Sequence, residues 1–373
     1  ANTSDCFARS YLDARQKFLG AASTAGAQLE AIRLPGYQGR DGEALYLDVA
    51  LLGNADAARL LLVTSATHGA EGYCGSGGQV SLLADDSIRA RLAQADTAML
   101  LVHAVNPYGF SHCHRTNEDN IDLNRNCIDF SAARKANPGY AGLHPLLLPA
   151  SWPPTPANVA QLQDWIAAHG ELTYQATVVG GQYDFPDGLF YGGTQASWSS
   201  NTLLDVMTRY SAGREQLAWI DIHTGLGARG HGEKIYAGRQ DAAELARAKA
   251  WWGADVFAPF DPGSGSSSTE IAGPVSGLAY RLPRWQAGQL AVTSMALEFG
   301  TVPLPEMLHA LRGDNWLRQF PAAASAADAH TIREAMLAAF YCDQEDWKGM
   351  IVGQLKTSVV QALAGLKATP ASR

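Results

Sequence analysis

His68 and Glu71 stand three residues apart in Val63-Thr-Ser-Ala-Thr-His-Gly-Ala-Glu-Gly72, directly after the apolar run Leu60 to Val63. The run reads as a buried strand, and glycines punctuate the turn that follows. A histidine and a carboxylate on such a turn can both point into the crevice at the carboxyl end of the strand, where open α/β sheets place their ligand sites. Imidazole plus carboxylate, joined by a second histidine from elsewhere, is the donor set of a catalytic zinc that keeps one position for water. By itself the pair is weak, because two polar residues at this spacing more often mark a surface hydrogen bond.

Other residues strengthen the pattern. Asp221-Ile-His-Thr-Gly225 closes a second strand-like run, so His223 also falls at a strand end beside a glycine. Between the two lie Asn106-Pro-Tyr-Gly109, Arg115-Thr-Asn117 and Asp122-Leu-Asn-Arg-Asn126. Late in the chain, Val292 to Gly300 places Glu298 at the end of another hydrophobic strand. A carboxylate there must be paired or linked to a metal. Each residue also has a plainer reading. Arg125 could satisfy backbone carbonyls, Glu298 could close a buried ion pair, and His103, His112, His114 and His144 show no partner pattern.

In this order, over roughly residues 40 to 305, the motifs resemble the zinc carboxypeptidase superfamily, which includes the aspartoacylase and succinylglutamate desuccinylase branch. Gly181-Gln-Tyr-Asp-Phe-Pro186, Phe190-Tyr-Gly-Gly193 and Trp198 set the chain in a carboxypeptidase-like branch apart from the digestive enzymes. The resemblance implies one zinc ion on His68, Glu71 and His223. It implies Arg115 as the stabiliser of the oxyanion, and Asn124 with Arg125 as the grip on a substrate carboxylate. Asp122 then orients a ligand imidazole, and Glu298 is the general base. Asp221, two residues before His223 on the same strand face, is a second candidate for orienting an imidazole. A tyrosine closing over substrate is expected between the last ligand and the base. Tyr280 has that order, Tyr236 competes with it, and the surrounding Gly263 to Ser268 and Gly273-Pro274 suit a lid.

These roles have a direct chemical content. Zinc lowers the pKa of bound water toward about 7 and polarises a carbonyl. Glu298 would take the proton and return it to the leaving amine. Arg115 would meet the charge on the carbonyl oxygen, worth about 3 kcal/mol for one such donor. Arg125 offers a planar fork that matches a carboxylate.

The elements that must hold these residues alternate. Strands are expected at Ala44 to Leu52, Arg59 to Ala66, Thr97 to Val105, Leu217 to His223, Lys234 to Ala237 and Thr293 to Phe299. Helices are expected at Gly77 to Ala93, Asn158 to His169, Ser197 to Tyr210, Asp241 to Trp252, Pro305 to Phe320, Ala326 to Cys342 and Val352 to Leu366, with a frayed tail from Lys367. This is an α/β fold with a mixed, largely parallel central sheet and helices on both faces. The ligands spread from 68 to 298 without a linker, so one zinc-hydrolase domain, 1–373, is expected. It would carry a Pro/Gly/aromatic-rich insertion at about 136–193 and a helical C-terminal cap at about 305–366. Pro145, Pro149, Pro153, Pro154 and Pro156 rule out one continuous helix in the insertion. Its Trp152, Tyr183, Phe185, Phe190, Tyr191 and Trp198 form either an aromatic wall for the cleft or a small core of their own.

Composition frames the site. The chain has 373 residues, of which 47% are hydrophobic and 17% charged, enough for a large core. A net charge of −8 without a basic cluster argues against nucleic acid as a partner. No apolar run reaches membrane length, and no signal peptide is visible, so a cytoplasmic protein away from membranes is expected. The five cysteines have no metal spacing and read as reduced thiols; Cys74 lacks a base beside it.

The expected activity is zinc-dependent hydrolysis of an amide bond next to a free carboxylate, on a small peptide. The alternative is an N-acyl amino acid deacylase of the aspartoacylase type. A non-catalytic zinc-binding scaffold would usually have lost a ligand or the base, and all four residues are present.

Overall fold

The computed structural model describes residues 2–261, 265 and 268–368. Its centre is an eight-stranded sheet built from β1 (Gln28–Gln38), β2 (Ala44–Leu52), β3 (Arg59–Thr64), β4 (Thr97–His103), β5 (Gln216–Arg229), β6 (Gly232–Tyr236), β7 (Val256–Phe257) and β8 (Ala291–Gly300). The spatial order is β1-β2-β4-β3-β5-β8-β6-β7. The four central strands β4, β3, β5 and β8 run parallel, while β2 meets β4 and β6 meets β8 antiparallel. The sheet is thus mixed with a parallel centre, as the alternating pattern predicts.

Every residue of β4 is buried, and so is all of β3 after Arg59. Strand alternation divides these side chains between two cores. Leu61, Val63, Leu101, Ile220 and Leu297 join one core with the helices Tyr11–Thr24, Gly72–Leu83 and Glu345–Ala368. Leu60, Leu62, Leu100, Leu217, Trp219 and Val292 join the other, under the helix Trp198–Ser211 and the turn Val275–Arg281. Covered on both faces, the strands need no polar alternation, which is why they read as continuous apolar runs.

The helix expected at Gly77 to Ala93 is two helices, Gly72–Leu83 and Asp86–Ala95. Asp85 breaks them apart, because its carboxylate accepts the Ser87 N–H at 2.9 Å and caps the second helix. The first helix begins directly after Glu71 and lies close on β3; a Cβ at Gly75 would meet the Ser65 Cβ at 2.7 Å. The insertion holds the helices Pro138–Leu147, Pro156–His169 and Glu171–Val179. Leu304–Gln319, Ala326–Phe340 and Glu345–Ala368 make up the C-terminal helical region; Lys367 and Ala368 belong to the last helix, and 369–373, the rest of the tail expected to fray, lie outside the described residues. Of the segment Gly263 to Ser268, expected to act as a lid, 263, 264, 266 and 267 lie outside the described residues. No helix among the described residues is long and apolar enough to cross a membrane.

Candidate metal centre

His68 and Glu71 sit on the short turn after β3, and His223 lies near the end of the buried part of β5. β3 and β5 are parallel neighbours, with Thr64 opposite Asp221, so the two ligand segments leave the sheet side by side. The turn is fixed from behind by Asn106-Pro-Tyr-Gly109. The Asn106 side chain accepts the Gly109 N–H at 2.8 Å and donates to the Arg115 carbonyl at 3.3 Å. Gly69 donates its N–H to the same Arg115 carbonyl at 3.1 Å. A Cβ on Gly69 would run into the Gly109 backbone, and one on Gly109 into the Asn106 side chain and the Thr116 carbonyl, so both positions require glycine.

The two imidazoles present equivalent faces to Glu71. His68 Nδ1 lies 2.8 Å from one Glu71 oxygen and His223 Nδ1 lies 3.0 Å from the other. Each far nitrogen is held by an aspartate: His68 Nε2 by Asp122 at 3.0 Å, and His223 Nε2 by Asp221 at 2.6 Å. Asp221 is itself fixed by hydroxyl donors, Thr64 at 2.5 Å and Thr67 at 3.0 Å. Asp122 accepts from Arg115 Nε at 2.9 Å and from the Asn124 N–H at 2.9 Å. All three candidate ligands are buried, and one donor atom from each lies within 4.8 Å of the others. Two Nδ1 donors and a carboxylate, with each imidazole locked by a carboxylate on its other nitrogen, form a donor set able to hold a metal ion.

The electrostatics follow from this arrangement. Burial alone would push the Glu71 carboxyl up, but the His68 and His223 imidazoles hold it well below the usual range. Burial likewise opposes charge on His223, yet Asp221 and Glu71 raise its pKa well above that of a free histidine. Arg115, Arg125 and His68 outweigh burial at Asp122 and keep it ionised. Glu298 goes the other way: burial, then repulsion from Glu71, pushes it up to about 8. A cation on the three ligands would draw Glu298 back toward the ionised form, since it would be the largest local charge.

Residues 7–354 match the profile of a family described as "Protein of unknown function (DUF2817)". The chain belongs to that family. No curated protein matches the sequence with significance. Among solved structures, bovine thrombin-activatable fibrinolysis inhibitor in complex with tick carboxypeptidase inhibitor is similar at a TM-score of 0.51 and 12% identity, covering 96% of this chain and 97% of that one. Carboxypeptidase A from Helicoverpa armigera is similar at a TM-score of 0.45 and 13% identity, covering 89% of this chain and 74% of that one. The chain has a carboxypeptidase-like α/β fold.

A cavity of about 350 Å³ opens over the ligands, and His68, Glu71, Arg115, Asn124, Arg125, His223 and Glu298 all line it. Asp122 lies buried behind His68 and Arg115. Glu298 comes from β8, and one of its oxygens accepts the Leu226 N–H at 3.2 Å, just after Gly225 turns with φ +117°. Arg115 also approaches Glu71 at 3.4 Å. Arg125 is buried with Nε donating to the Val179 carbonyl at 3.0 Å and Nη1 to the Asn124 carbonyl at 3.0 Å. Burial pushes its pKa down to about 10, so it stays charged near neutrality.

Tyr280 is placed elsewhere. Its hydroxyl donates to Glu244 at 2.6 Å and accepts the Arg239 N–H at 3.1 Å, and Tyr236 rather than Tyr280 lines the cavity. Of the aromatic residues in and beside the insertion, only Phe190 lines the cavity. Phe185 packs on Tyr140 and His144 within the insertion, Trp152 packs on His309 of the helix Leu304–Gln319, and Tyr191 joins the sheet core that holds Trp219, so these rings form neither one cavity wall nor one core of their own. Tyr183 donates its hydroxyl to the Arg125 carbonyl at 2.7 Å. Phe190, expected only as part of a wall of the cleft, also contacts both arginines. It adopts φ +53°, and its ring lies under both guanidinium groups, 4.9 Å from Arg115 and 5.2 Å from Arg125. The cysteines are free.

Proposed function

We propose that this protein is a zinc-dependent amide hydrolase that cuts next to a free carboxylate, as a metallocarboxypeptidase does. The observation that carries this reading is the buried His68, Glu71 and His223 set, with Glu298, Arg115 and Arg125 opening onto the same cavity. His68, Glu71 and His223 would hold zinc, which acidifies water and polarises a carbonyl when bound.

The remaining chemistry belongs to the chain. Glu298 takes the proton from the attacking water and delivers it to the leaving amine. Its Leu226 N–H bond engages one carboxylate oxygen only, and the residue lines the cavity. Arg115 is aimed by Asp122 and offers its other nitrogens to the carbonyl oxygen as charge develops there. Arg125 keeps guanidinium hydrogens beyond those bound to Val179 and Asn124, and these would hold the substrate carboxylate with Asn124. Asp122 and Asp221 fix the tautomers of the ligand histidines so that Nδ1 is the donor.

The test is a hydrolysis screen on zinc-loaded protein, read by mass spectrometry, across peptides of varied C-terminal residue and a set of N-acetyl and N-succinyl amino acids. Release of C-terminal residues supports the proposal. Turnover of the N-acyl amino acids alone would replace it with a deacylase, and no turnover of either set with full zinc occupancy would overturn it.

A further inference from the structure

The cavity extends from the metal ligands along the sheet, and its floor can be read from the strand register. On β5, Trp219, Asp221 and His223 alternate onto one face; their partners on β8 are Ser294, Ala296 and Glu298. All six line the cavity. Ser294 therefore lies four residues back from Glu298, about 13 Å along the strand. The lining beyond the metal site includes the apolar Ile235, Phe260, Ile271 and Val275. Of the charged side chains that line the cavity beyond the metal site, the exposed Glu270 accepts from Gln240 at 3.5 Å, and the other two are held by closer partners. Asp221 is bound by Thr64, Thr67 and His223, and Arg239 by Glu244 and Asp241. The Trp219 indole N–H is spent on Thr64 Oγ1 at 2.8 Å, leaving only a flat apolar face.

Ser294 breaks this apolar lining. It is 1% exposed, and its hydroxyl has no hydrogen-bond partner among the described residues; the Thr269 hydroxyl, which also lines the cavity, has none either. A buried hydroxyl without a partner carries a desolvation penalty that a ligand group can relieve. Apolar walls, a small Ala296 in mid-floor and a polar end together fit a flat ring with a hydrogen-bonding tip.

We propose that the group seated here is an uncharged aromatic ring bearing a hydroxyl, as in a tyrosine-type residue beside the scissile bond, and that Ser294 is the specificity-determining residue that reads the hydroxyl. This rests on the proposed hydrolase reading for the direction in which substrate lies, with its carboxylate at Arg125 and its side chain running along β8. Cationic and anionic side chains are disfavoured on the floor, because Trp219, Ala296 and Ser294 offer them no opposite charge. A phenyl group fits the walls but leaves the Ser294 hydroxyl unpaired, which is the basis of discrimination.

The test is a binding measurement that needs no turnover. Glu298→Gln protein loaded with zinc is titrated calorimetrically with N-acetyl-L-tyrosine, N-acetyl-L-phenylalanine, N-acetyl-L-arginine and N-acetyl-L-glutamate. The tyrosine derivative should bind on the order of 10-fold tighter than the phenylalanine one, and the charged pair more weakly than both. Adding Ser294→Ala should bring the tyrosine-to-phenylalanine ratio close to one, while Ser294→Thr, which keeps a hydroxyl, should retain part of it. Equal binding of the two rings, tightest binding of a charged derivative, an unchanged ratio in Ser294→Ala, or no binding at all would overturn the proposal. Tyrosine selectivity without hydrolysis in the substrate screen would sink the reaction and keep the pocket. Hydrolysis without ring selectivity would do the reverse.

Discussion

His223 and Glu298 are register partners on the adjacent parallel strands β5 and β8. Paired residues on neighbouring strands project to the same face of a sheet, so the register alone brings the candidate ligand and the candidate base to one cavity. Their attachments differ: His223 reaches the Glu71 carboxylate through Nδ1, whereas Glu298 is tied to the Leu226 N–H.

That difference separates two kinds of variant. His68→Ala or His223→Ala should remove zinc from the purified protein, measured by elemental analysis. Glu298→Gln should retain zinc at wild-type stoichiometry and lose turnover by at least 100-fold, as expected for removal of a general base. Loss of zinc in Glu298→Gln would make it a ligand and not the base.

The aspartates behind the histidines should tune the affinity rather than create it. Asp122→Asn and Asp221→Asn should each weaken zinc binding by about 10- to 100-fold in a chelator competition, with the fold preserved by circular dichroism. Asp122→Asn should have the broader effect, since Asp122 also holds Arg115. Unchanged zinc affinity in both variants would mean that the carboxylates do not orient the ligands.

Much of this arrangement was legible in the sequence because it depends on strand ends. Continuous apolar runs marked β3, β4, β5 and β8, and the polar residues just beyond them are those the structure brings together. β1 was not legible: most of its residues are exposed, with Leu34 its sole buried side chain, so no apolar alternation announces it. β7 has only two residues. Tyr280 was chosen for its order in the chain, and order says nothing of the Glu244 carboxylate that holds its hydroxyl. Phe190 was among the residues named for a cleft wall, but its place under the two arginines was not legible, because a positive φ at a phenylalanine arises from the surrounding fold. Ser294 looked like an ordinary strand residue, and only the register with Trp219 shows what it faces.

Phe190 offers a test of how the two arginines are held. Its left-handed backbone costs roughly 1–2 kcal/mol, and its ring contacts with Arg115 and Arg125 offset part of this. Phe190→Leu should leave zinc content unchanged and reduce kcat/KM by about 5- to 10-fold. Phe190→Gly relieves the backbone strain without restoring the ring, so it should not recover activity. Full activity in either variant would reduce Phe190 to a packing residue.

His103 should shape the acid stability of the fold. It is fully buried, stacked on Phe18 at 4.5 Å with Nε2 2.9 Å from the Ser76 hydroxyl. Burial, then the nearby positive charge of Arg15, pushes its pKa down to about 3. In the unfolded chain it titrates near 6.5. Between those values the unfolded state binds a proton that the folded state refuses, so stability falls as pH drops through about 6.5. The slope approaches about 1.4 kcal/mol per pH unit and levels off near 3. His103→Phe keeps the stack and removes the proton site. Urea unfolding from pH 4 to 7 should show a shallower acid limb in the variant, and identical limbs would sink the assignment.

On the proposed reading, Arg125 decides the substrate class. All three of its guanidinium nitrogens donate to backbone carbonyls, so Arg125→Ala will lower stability as well as remove a cation, and raw activity alone is a poor reading. The informative quantity is the ratio between substrates that carry a free carboxylate and the same substrates amidated. Removing one partner of a charge pair in a closed site costs on the order of 2–5 kcal/mol. Arg125→Ala should therefore depress kcat/KM steeply for the acids and far less for the amides. Arg115→Ala should depress both sets alike, because it acts on the reacting carbonyl. A general loss of folded protein lowers both sets together and leaves the ratio intact, so it cannot imitate the Arg125 signature. Equal losses on acids and amides for Arg125→Ala would make it a scaffold for Val179 and Asn124, and would turn the enzyme into one that does not read a chain end.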